Sequence, residues 1–351
     1  MLKYKYITTP SSEDFGKIKK FYKSLDSVTI EQYPQWENII MDNGRFTYFV
    51  AEKDDEIVCF AKVREYKISI FSYAHIQCGP LFRDSDNLIE SLCELYAYYK
   101  TKGVIKLDVL LGIETGKIAS YIEYKLAKYI NYSVSNIIGN WSSIRLELKT
   151  DEDVIFRNFS KGHKSDIKKA LKLGIKISSE DLSEQDLRYF YEDYSLMASQ
   201  RGLGHIEEER DFFISLKHFF DKEQNGKFYL VKDEMNTIIG GIIVVYQGDT
   251  VRYYKGAANP KFRHIPILHI ALWEAVKDAK LRGFKYFDFW GYNHWVNEDN
   301  QIFFINRFKK GFGGEYVFYP KTISFVYHPF MLAFYKSLKT VKYKFVNNRL
   351  L

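Results

Sequence analysis

Three lysines spaced by four residues are the first group in this sequence that could carry out recognition chemistry. Lys164, Lys168 and Lys172 lie in a segment, 161–173, that is predicted to form a helix ended by Gly174. Residues four apart share one face of a helix, so the three ammonium groups would form a positive stripe. The stripe could contact phosphate groups, such as those of RNA or of a lipid-linked molecule, or it could be a solvated surface.

The histidines and cysteines do not form a recognisable metal or nucleophile site. His163, His205 and His264 have neither metal-ligand spacing nor a visible serine or cysteine partner. We therefore expect them to be structural or surface residues, with no bound metal. The 3 cysteines also lack a pattern, which favours reduced thiols in the cytoplasm. A secretory signal and a long apolar run typical of a membrane span are both missing from the sequence.

The charge of the chain is unevenly distributed. The 351 residues carry a formal net charge of +7, and almost all of the excess of Lys and Arg falls after residue 150. A basic second half favours an anionic partner there, such as RNA, phosphate or an anionic membrane surface.

The second half contains a recognisable order of strands and helix. The predicted elements are strands at 238–246 and 250–255, a helix at 267–281, a strand at 284–289, and a loop that ends with 307–314. Gln247-Gly248-Asp249 separates the first two strands and is typical of a hairpin. Asp288 lies near the end of the last strand. This order predicts a mixed α/β sheet with one edge near a ligand.

The first half repeats the same order. The predicted elements are strands at 46–52, 56–64 and 68–77, a helix at 87–102, and a strand at 104–111. Asp108 lies in the last of these strands. We therefore predict two copies of one fold, at 1–150 and 151–328, followed by a basic aromatic helix at 329–351.

Several motifs in this order resemble the Fem family. In the second half they are Tyr253-Tyr254-Lys255-Gly256-Ala257, the helix with Trp273 and Ala279, and the runs GFKYFDFWG and RFKKGFGGE; in the first half they are IQCGPLFRD and KGVIKLDV. Fem enzymes are peptidyl aminoacyltransferases that extend the peptide of a peptidoglycan precursor. The resemblance implies an α/β (α+β) fold of two tandem GNAT-like domains, each a mixed twisted sheet flanked by helices.

The resemblance also implies roles for individual residues. Lys309 matches the family lysine to which transition-state charge stabilisation is attributed, and Asp108 matches a first-domain carboxylate that faces the cleft. Tyr254 matches a tyrosine that contacts the precursor. Each could instead be structural: a surface lysine, a strand-end carboxylate and a core tyrosine. The remaining predicted substrate-binding residues are Arg201, Phe308 and Trp36.

The sequence departs from the family at positions that bind the acceptor. Glu207 and Asp211 stand where members that bind a nucleotide-linked precursor place a basic residue and a tyrosine. Ile40 stands four residues after Trp36, where the family has a lysine. The identity of the acceptor is therefore left open by the resemblance, while the predicted fold is not affected.

The turn before the helix at 267–281 bears on the acyl donor. GNAT enzymes that use acetyl-CoA hold its pyrophosphate with backbone N–H groups of a glycine-rich turn. The matching turn, Lys261-Phe262-Arg263-His264-Ile265-Pro266, has no glycine, and Pro266 has no N–H. Fem enzymes likewise lack the turn and use aminoacyl-tRNA, so we predict that the chain needs no cofactor.

Together these features predict a cytoplasmic aminoacyltransferase that moves an aminoacyl group from aminoacyl-tRNA to an amine of a peptidoglycan or other cell-envelope precursor. The precursor would be lipid-linked or nucleotide-linked, and a lipid-linked one would bring the enzyme to the inner face of the cell membrane. One alternative is an acyl-CoA-dependent N-acyltransferase that acts on an envelope sugar. Another is a non-catalytic module that binds a lipid-linked glycan, which the presence of Lys309 and its motif disfavours.

The predicted terminal helix allows two interpretations. Residues 329–351 hold five basic residues and no acidic residue, interleaved with aromatic and aliphatic ones. The segment could dock on the core with its lysines outward, or it could contact a membrane interface, as a lipid-linked substrate would require.

Overall fold

The computed structural model describes most of the chain. The described residues are 2–40, 44–68, 70–114, 116–130, 132–135, 142–200, 210–293, 295–335 and 337. The chain divides into two compact units. The first unit comprises 1–34, 43–139 and 319–351, and the second comprises 35–42 and 140–318.

Both units contain helices and strands. The helices are α1 (Ser12–Lys23), α2 (Trp36–Ile39), α3 (Ser85–Thr101), α4 (Lys117–Tyr129), α5 (Glu152–Arg157), α6 (Lys161–Lys172), α7 (Glu184–Gln200), α8 (Phe212–Glu223), α9 (Ile267–Leu281) and α10 (Gln301–Lys310). The strands are β1 (Lys3–Ile7), β2 (Arg45–Lys53), β3 (Glu56–Ile68), β4 (Phe71–Ile76), β5 (Leu81–Phe82), β6 (Lys106–Val109), β7 (Ser133–Ser135), β8 (Ser142–Glu147), β9 (Lys176–Ser178), β10 (Gly226–Lys232), β11 (Ile238–Gln247), β12 (Thr250–Ala258), β13 (Tyr286–Asp288), β14 (Glu315–Phe318) and β15 (Thr322–Val326).

The first unit is built on a mixed sheet. Its strand order is β1-β2-β3-β4-β6-β15-β7, with β5 paired to β3. β4 and β6 are parallel, and the other described pairs are antiparallel. One face of the sheet is apolar and packs on α3 and α4, as shown by the shared core of Leu92, Leu95, Val109 and Leu126. β15 comes from the far end of the chain and lies between β6 and β7.

The second unit repeats this plan. Its strand order is β14-β8-β13-β12-β11-β10-β9, and β12 and β13 are its parallel pair. Every residue of β11 is buried, as expected of a central strand with helices on both faces. α9 presents Ile270, Ala271 and Val276 to this sheet. The predicted fold class, mixed α/β with two sheets flanked by helices, is confirmed.

β8 belongs to the sheet of the second unit, although the sequence analysis placed it in the first domain. The sequence analysis assigned residues up to 150 to the first domain, but β8 pairs in the second sheet with β13 and β14. Strand pairing between segments far apart in sequence leaves no local signal, so the pattern could not assign β8 to a sheet. Among the described helices, none combines the length and the apolar character that crossing a bilayer requires.

Candidate active site

The second sheet opens between its two parallel strands. β12 and β13 pair over only a few residues, and the last pair is Arg252 with Asp288. Beyond this pair the chain follows β8 instead of β12, because the amide of Phe289 donates to the carbonyl of Ile144 at 2.9 Å. A gap forms where the two strands separate, and a ligand can approach the backbone there.

The equivalent pair of the first unit stays closed. Past the end of β4, the amide of Gly79 donates to the carbonyl of Leu110 at 2.9 Å, and the amide of Leu110 donates to Ile76 at 2.9 Å. The hydroxyl of Thr29 donates to the carbonyl of Cys78 at 2.7 Å. These hydrogen bonds hold the strand ends together, so an opening of the kind found in the second sheet does not form at this point.

Lys309 lies at the end of a helix beside the gap of the second sheet. The sequence analysis predicted a loop before Gly311, and that prediction is wrong, because α10 is helical through this stretch. Asn300 caps the helix, since its side chain accepts a hydrogen bond from the amide of Ile302 at 2.9 Å. The helix directs Lys309 inward, and its side chain is 8% exposed.

Two backbone carbonyls hold the Lys309 ammonium. Its Nζ donates to the carbonyl of Trp290 and to that of Gly291, the latter at 3.1 Å. Trp290 and Gly291 have φ angles of 46° and 59°, so two consecutive left-handed residues turn the chain at this point. An ammonium has three donors, and the third can serve a ligand in the cavity that Lys309 lines.

The environment of Lys309 changes its protonation equilibrium. Burial lowers the pKa of Lys309 to about 8, and the negative charge of Asp288 acts in the opposite direction. With a pKa of about 8, the charged form of Lys309 predominates at pH 7. The site therefore offers a desolvated cation, which stabilises negative charge better than an exposed lysine would.

Trp290, which accepts from Lys309, is itself fixed by strand residues. The Arg252 guanidinium lies 3.6 Å from the centroid of the Trp290 ring. The amide of Trp290 donates to Asp288 Oδ1 at 2.7 Å, and the hydroxyl of Ser143 donates to the same oxygen. The sequence analysis did not single out Arg252, Ser143 or Trp290. Their roles depend on the pairing of β12, β13 and β8, and the only local signal was the run GFKYFDFWG, which contains Trp290 and Gly291.

His163 joins α6 to the end of α10. Its Nε2 lies 2.8 Å from the carbonyl of Phe308, so this nitrogen carries the proton, and Nδ1 accepts from the hydroxyl of Ser160 at 3.1 Å. A Cβ at Gly311 would overlap the His163 ring. Burial lowers the pKa of His163. This is a structural role, as the sequence analysis expected, and it fixes the end of α10, the helix that carries Lys309.

Two cavities meet beside Lys309. One has a volume of about 810 Å³, and its walls include Tyr194, Tyr254, Lys255 and Lys309; we call it the Lys309 cavity. The other has a volume of about 540 Å³ and is lined by loop 258–266 and the start of α9; we call it the loop cavity. Both have Met197, Gln200, Leu268 and Phe308 in their walls, so they share a boundary.

The backbone of the loop cavity is largely engaged with itself. The amide of Lys261 donates to the Asn259 side chain at 3.0 Å, and the amide of Phe262 donates to the Asn259 carbonyl at 3.0 Å. The amides of Ile265 and Ile267 donate to nearby carbonyls at 2.9 Å each. The prolines at 260 and 266 have no N–H to offer. Four amides at this position are therefore engaged within the loop, and the two prolines have none to offer to a pyrophosphate group.

Tyr254 lies at a bulge in β12. Ile243 pairs with Lys255 and Val244 with Tyr253, which leaves Tyr254 as the extra residue. The bulge brings Tyr254 into the wall of the Lys309 cavity, and Phe308 is in the same wall. Trp36 is buried and packs edge-on against the Tyr254 ring at 5.7 Å. Substrate binding by these three aromatic residues stays a prediction, and Trp36 is placed to support Tyr254.

Asp108 belongs to the first unit and has protein partners. One of its carboxylate oxygens accepts from the hydroxyl of Ser324 at 2.5 Å, and the other pairs with the ammonium of Lys106. Its catalytic role stays a prediction. The predicted substrate-binding residue Arg201 and the acidic residue Glu207 both lie outside the described residues.

The basic helix predicted from the lysine spacing is α6. Lys168 and Lys172 are exposed on it, and so is Lys169, which also lines the loop cavity. Lys164 is half-buried, and its ammonium donates to the carbonyl of Arg157 at 2.9 Å. The positive face is therefore centred on Lys168 and Lys172, with Lys164 at its margin.

Comparison with a protein family identifies the type of domain. Residues 157–309 match the family described as acetyltransferase (GNAT) domain. The matched segment contains the parallel pair β12 and β13, α9 and Lys309. No curated protein sequence matches the chain.

Solved structures share the fold over nearly the whole chain. FemX superimposes with a TM-score of 0.78 at 14% identity, covering 93% of this chain and 98% of FemX. L-PGS from Bacillus licheniformis has a TM-score of 0.60 at 13% identity, covering 91% and 92%. A tandem GNAT protein from the clavulanic acid biosynthesis pathway has a TM-score of 0.52 at 9% identity, covering 93% and 99%. At these identities the similarity is one of fold, and it confirms the resemblance to Fem proteins and the GNAT-like architecture at that level.

Proposed function

We propose that this chain is an aminoacyltransferase that moves an aminoacyl group from aminoacyl-tRNA to an amine of a peptidoglycan precursor or another cell-envelope precursor. The observation that carries the proposal is the meeting of the loop cavity and the Lys309 cavity beside a buried lysine. A group-transfer enzyme must hold two substrates with their reacting atoms in contact. Two cavities with a common wall at Phe308 provide that arrangement.

We assign the donor to the loop cavity and the acceptor to the Lys309 cavity. The loop cavity lies at the start of α9, where GNAT enzymes bind the acyl donor, and exposed cations on α6 border it at Lys169. A tRNA acceptor end is a polyanion, and lysines on a helix beside the cavity favour its approach. The Lys309 cavity, with its tyrosines, then receives the amine.

The proposed transfer does not require a general base from the protein, because the departing ribose oxygen accepts the proton of the amine. The amine nitrogen attacks the carbonyl carbon of the aminoacyl ester, a C–N bond forms, and the C–O bond to the ribose breaks. The proton lost by the amine goes to the departing ribose oxygen. Negative charge develops on the carbonyl oxygen, and the third N–H of the Lys309 ammonium is the group we assign to it.

Aminoacyl-tRNA fits the donor site better than an acyl-CoA. The amides of 261, 262, 265 and 267 are engaged within the loop, and positions 260 and 266 are prolines. A CoA pyrophosphate needs several converging N–H groups, and these six positions do not supply them. The acyl group of an aminoacyl ester is already activated for transfer to an amine, so the proposal includes no bound cofactor.

The acceptor is the less defined partner. The resemblance to Fem enzymes favours a lipid-linked or nucleotide-linked envelope precursor whose free amine enters the Lys309 cavity. A cavity of about 810 Å³ accommodates an amino-acid side chain with part of its peptide. The tyrosines of the wall would pack against that peptide.

Calorimetry on the purified chain tests the donor. We expect no saturable binding of acetyl-CoA in the micromolar range and measurable binding of aminoacyl-tRNA at low salt. Incubation with charged tRNA and envelope precursors should then raise the mass of the acceptor by one aminoacyl residue. Uncharged tRNA is the control for this step. Tight, stoichiometric binding of acetyl-CoA, with acetylation of an envelope sugar, would replace this proposal by the acyl-CoA-dependent alternative.

A further inference from the structure

An exposed apolar patch lies on the first unit, on the short helix that follows β15 and on the hairpin between β3 and β4. Its members are Phe330, 90% exposed, Ile70, 80%, Phe334, 57%, and Met331, 42%. We propose that this patch, the docking patch, inserts into the interface of a bilayer that contains anionic phospholipid. The inference does not rest on the proposed function.

Two elements are joined to make the patch. Residues 329–335 are helical, and Leu332 and Tyr335 pack inward on the cluster formed by Phe71, Tyr73 and Ile105. Phe330 and Phe334 are four residues apart, so they share the opposite, outward face of this helix. The ring of Phe71 lies 6.5 Å from that of Phe334, and the exposed Ile70 precedes Phe71 in the chain.

Such a surface is unusual for a protein region with no partner. Single exposed apolar side chains are common, but a cluster of four that includes two phenylalanines marks an interaction site. A helix with aromatic residues on one side and lysines close by in sequence typically lies in the plane of a membrane interface. Its apolar face would then enter the region between headgroups and acyl chains.

The charge of the sequence that contains the helix of the patch favours an anionic bilayer. The sequence from 329 to 351 contains Lys336, Lys339, Lys342, Lys344 and Arg349, and it has no acidic residue. Lys67, in the hairpin strand β3, is exposed as well. Each basic residue near an anionic surface adds attraction. A second copy of this chain would instead bring two positively charged segments together, which disfavours self-association through the patch.

Co-sedimentation of the full chain with vesicles tests the inference. We expect binding to vesicles of phosphatidylcholine with roughly one third phosphatidylglycerol, and much weaker binding to phosphatidylcholine alone. The double change Phe330→Asp and Phe334→Asp should lower the partition coefficient by about tenfold or more. Ile70→Asp alone should lower it by a smaller factor. Leu281→Asp, at an 86% exposed leucine of the second unit, is the matched control and should have no effect.

Three results would overturn the inference. The first is no binding of the wild-type chain to the anionic vesicles. The second is an equal loss of binding in the Leu281→Asp control, which would show a general effect of added negative charge. The third is concentration-dependent self-association that the two phenylalanine substitutions abolish, because it would assign the docking patch to a second copy of the chain. Thermal unfolding of each variant checks that the fold is kept.

Discussion

The side chain of Lys309 donates a hydrogen bond to the backbone carbonyl of Trp290, 19 residues earlier in the chain. Trp290 is a bulky residue in left-handed backbone geometry, which is unusual outside glycine and costs conformational energy. The stacked Arg252 and the hydrogen bond to Asp288 hold it there. Strain of this kind is typical of sites where the backbone positions a reacting group.

Replacing Lys309 should abolish most of the activity without unfolding the protein. Lys309→Met keeps the apolar length of the side chain and removes the charge, so turnover should fall by about 100-fold or more. Lys310→Met is the matched control, because Lys310 is exposed at the adjacent position. Steady-state turnover and thermal unfolding are the measurements. Similar, small losses in both variants would contradict the role of Lys309.

The pH dependence separates two roles for Lys309. If its ammonium stabilises the oxyanion, the active form is lost as pH rises through about 8, the value to which burial lowers the pKa. If Lys309 acted as a base, the active form would increase over the same range. We expect kcat/KM to fall above pH 8 in the wild-type chain. The residual activity of Lys309→Met should lack that falling limb. The pH profile of this variant therefore serves as the correction for titration of the substrate amine. A rising limb that disappears in the variant would assign the base role instead.

The close approach of Gly311 to the His163 ring predicts that a larger side chain at position 311 destabilises the protein. Gly311→Ala places a methyl group against the His163 ring, so the ring or α10 must move, and the free energy of unfolding should fall by about 1–3 kcal/mol. Turnover should fall too, because α10 carries Lys309.

Gly162→Ala provides the control for this steric effect. A Cβ at Gly162, near the start of α6, meets nothing within 4 Å. Its free energy of unfolding should stay unchanged or rise by up to about 1 kcal/mol. Denaturant unfolding measures both variants, and equal behaviour of the two would show that His163 does not constrain α10.

The lysines of α6 should contribute unequally to RNA binding. Replacing Lys168 and Lys172 by Gln should weaken tRNA binding and flatten the dependence of log K on log salt by about 0.7–0.9 for each phosphate that is no longer neutralised. Lys164→Gln should change the slope less, because its ammonium already donates to the Arg157 carbonyl. Fluorescence anisotropy over a salt series measures the slopes.

The control pair for the α6 lysines lies in the first unit. On α4, Lys128 is exposed and Lys125 is partly exposed, and their replacement by Gln removes the same charge from a helix outside the proposed RNA site. An equal flattening in this pair would indicate a general charge effect and no specific contact by α6.

Local periodicity predicted much of the fold. α9 runs from Ile267 to Leu281, as the apolar spacing indicated, and α6 begins at Lys161 as expected. α10 was missed because residues 302–305 form a continuous apolar run, which has no helical period to detect. Helices whose apolar residues recur at helical spacing could be predicted from the sequence, and a helix whose apolar residues form a continuous run could not.

The candidate site was predicted only in part, for a different reason. Lys309 was found through a motif, since the motif is contiguous in sequence. The side chains that fix its acceptor carbonyls come from three strands, β8, β12 and β13. Ser143 is 145 residues from Asp288, with which it forms a hydrogen bond. Contacts at that separation follow from strand order, and a single sequence does not reveal strand order.

The position of β15 determines which of the two units can finish folding first while the chain is being synthesised. β15 lies between β6 and β7, although more than half of the chain is translated between those strands and β15. While the ribosome makes residues 140–318, β6 is an open edge of the first sheet, and β7, whose described pairing is with β15, is not yet joined to that sheet. The second unit can finish folding before the first, the reverse of the usual N-terminal-first order. Until β15 emerges, the open edge of β6 and the unpaired β7 are exposed to mispairing with other strands.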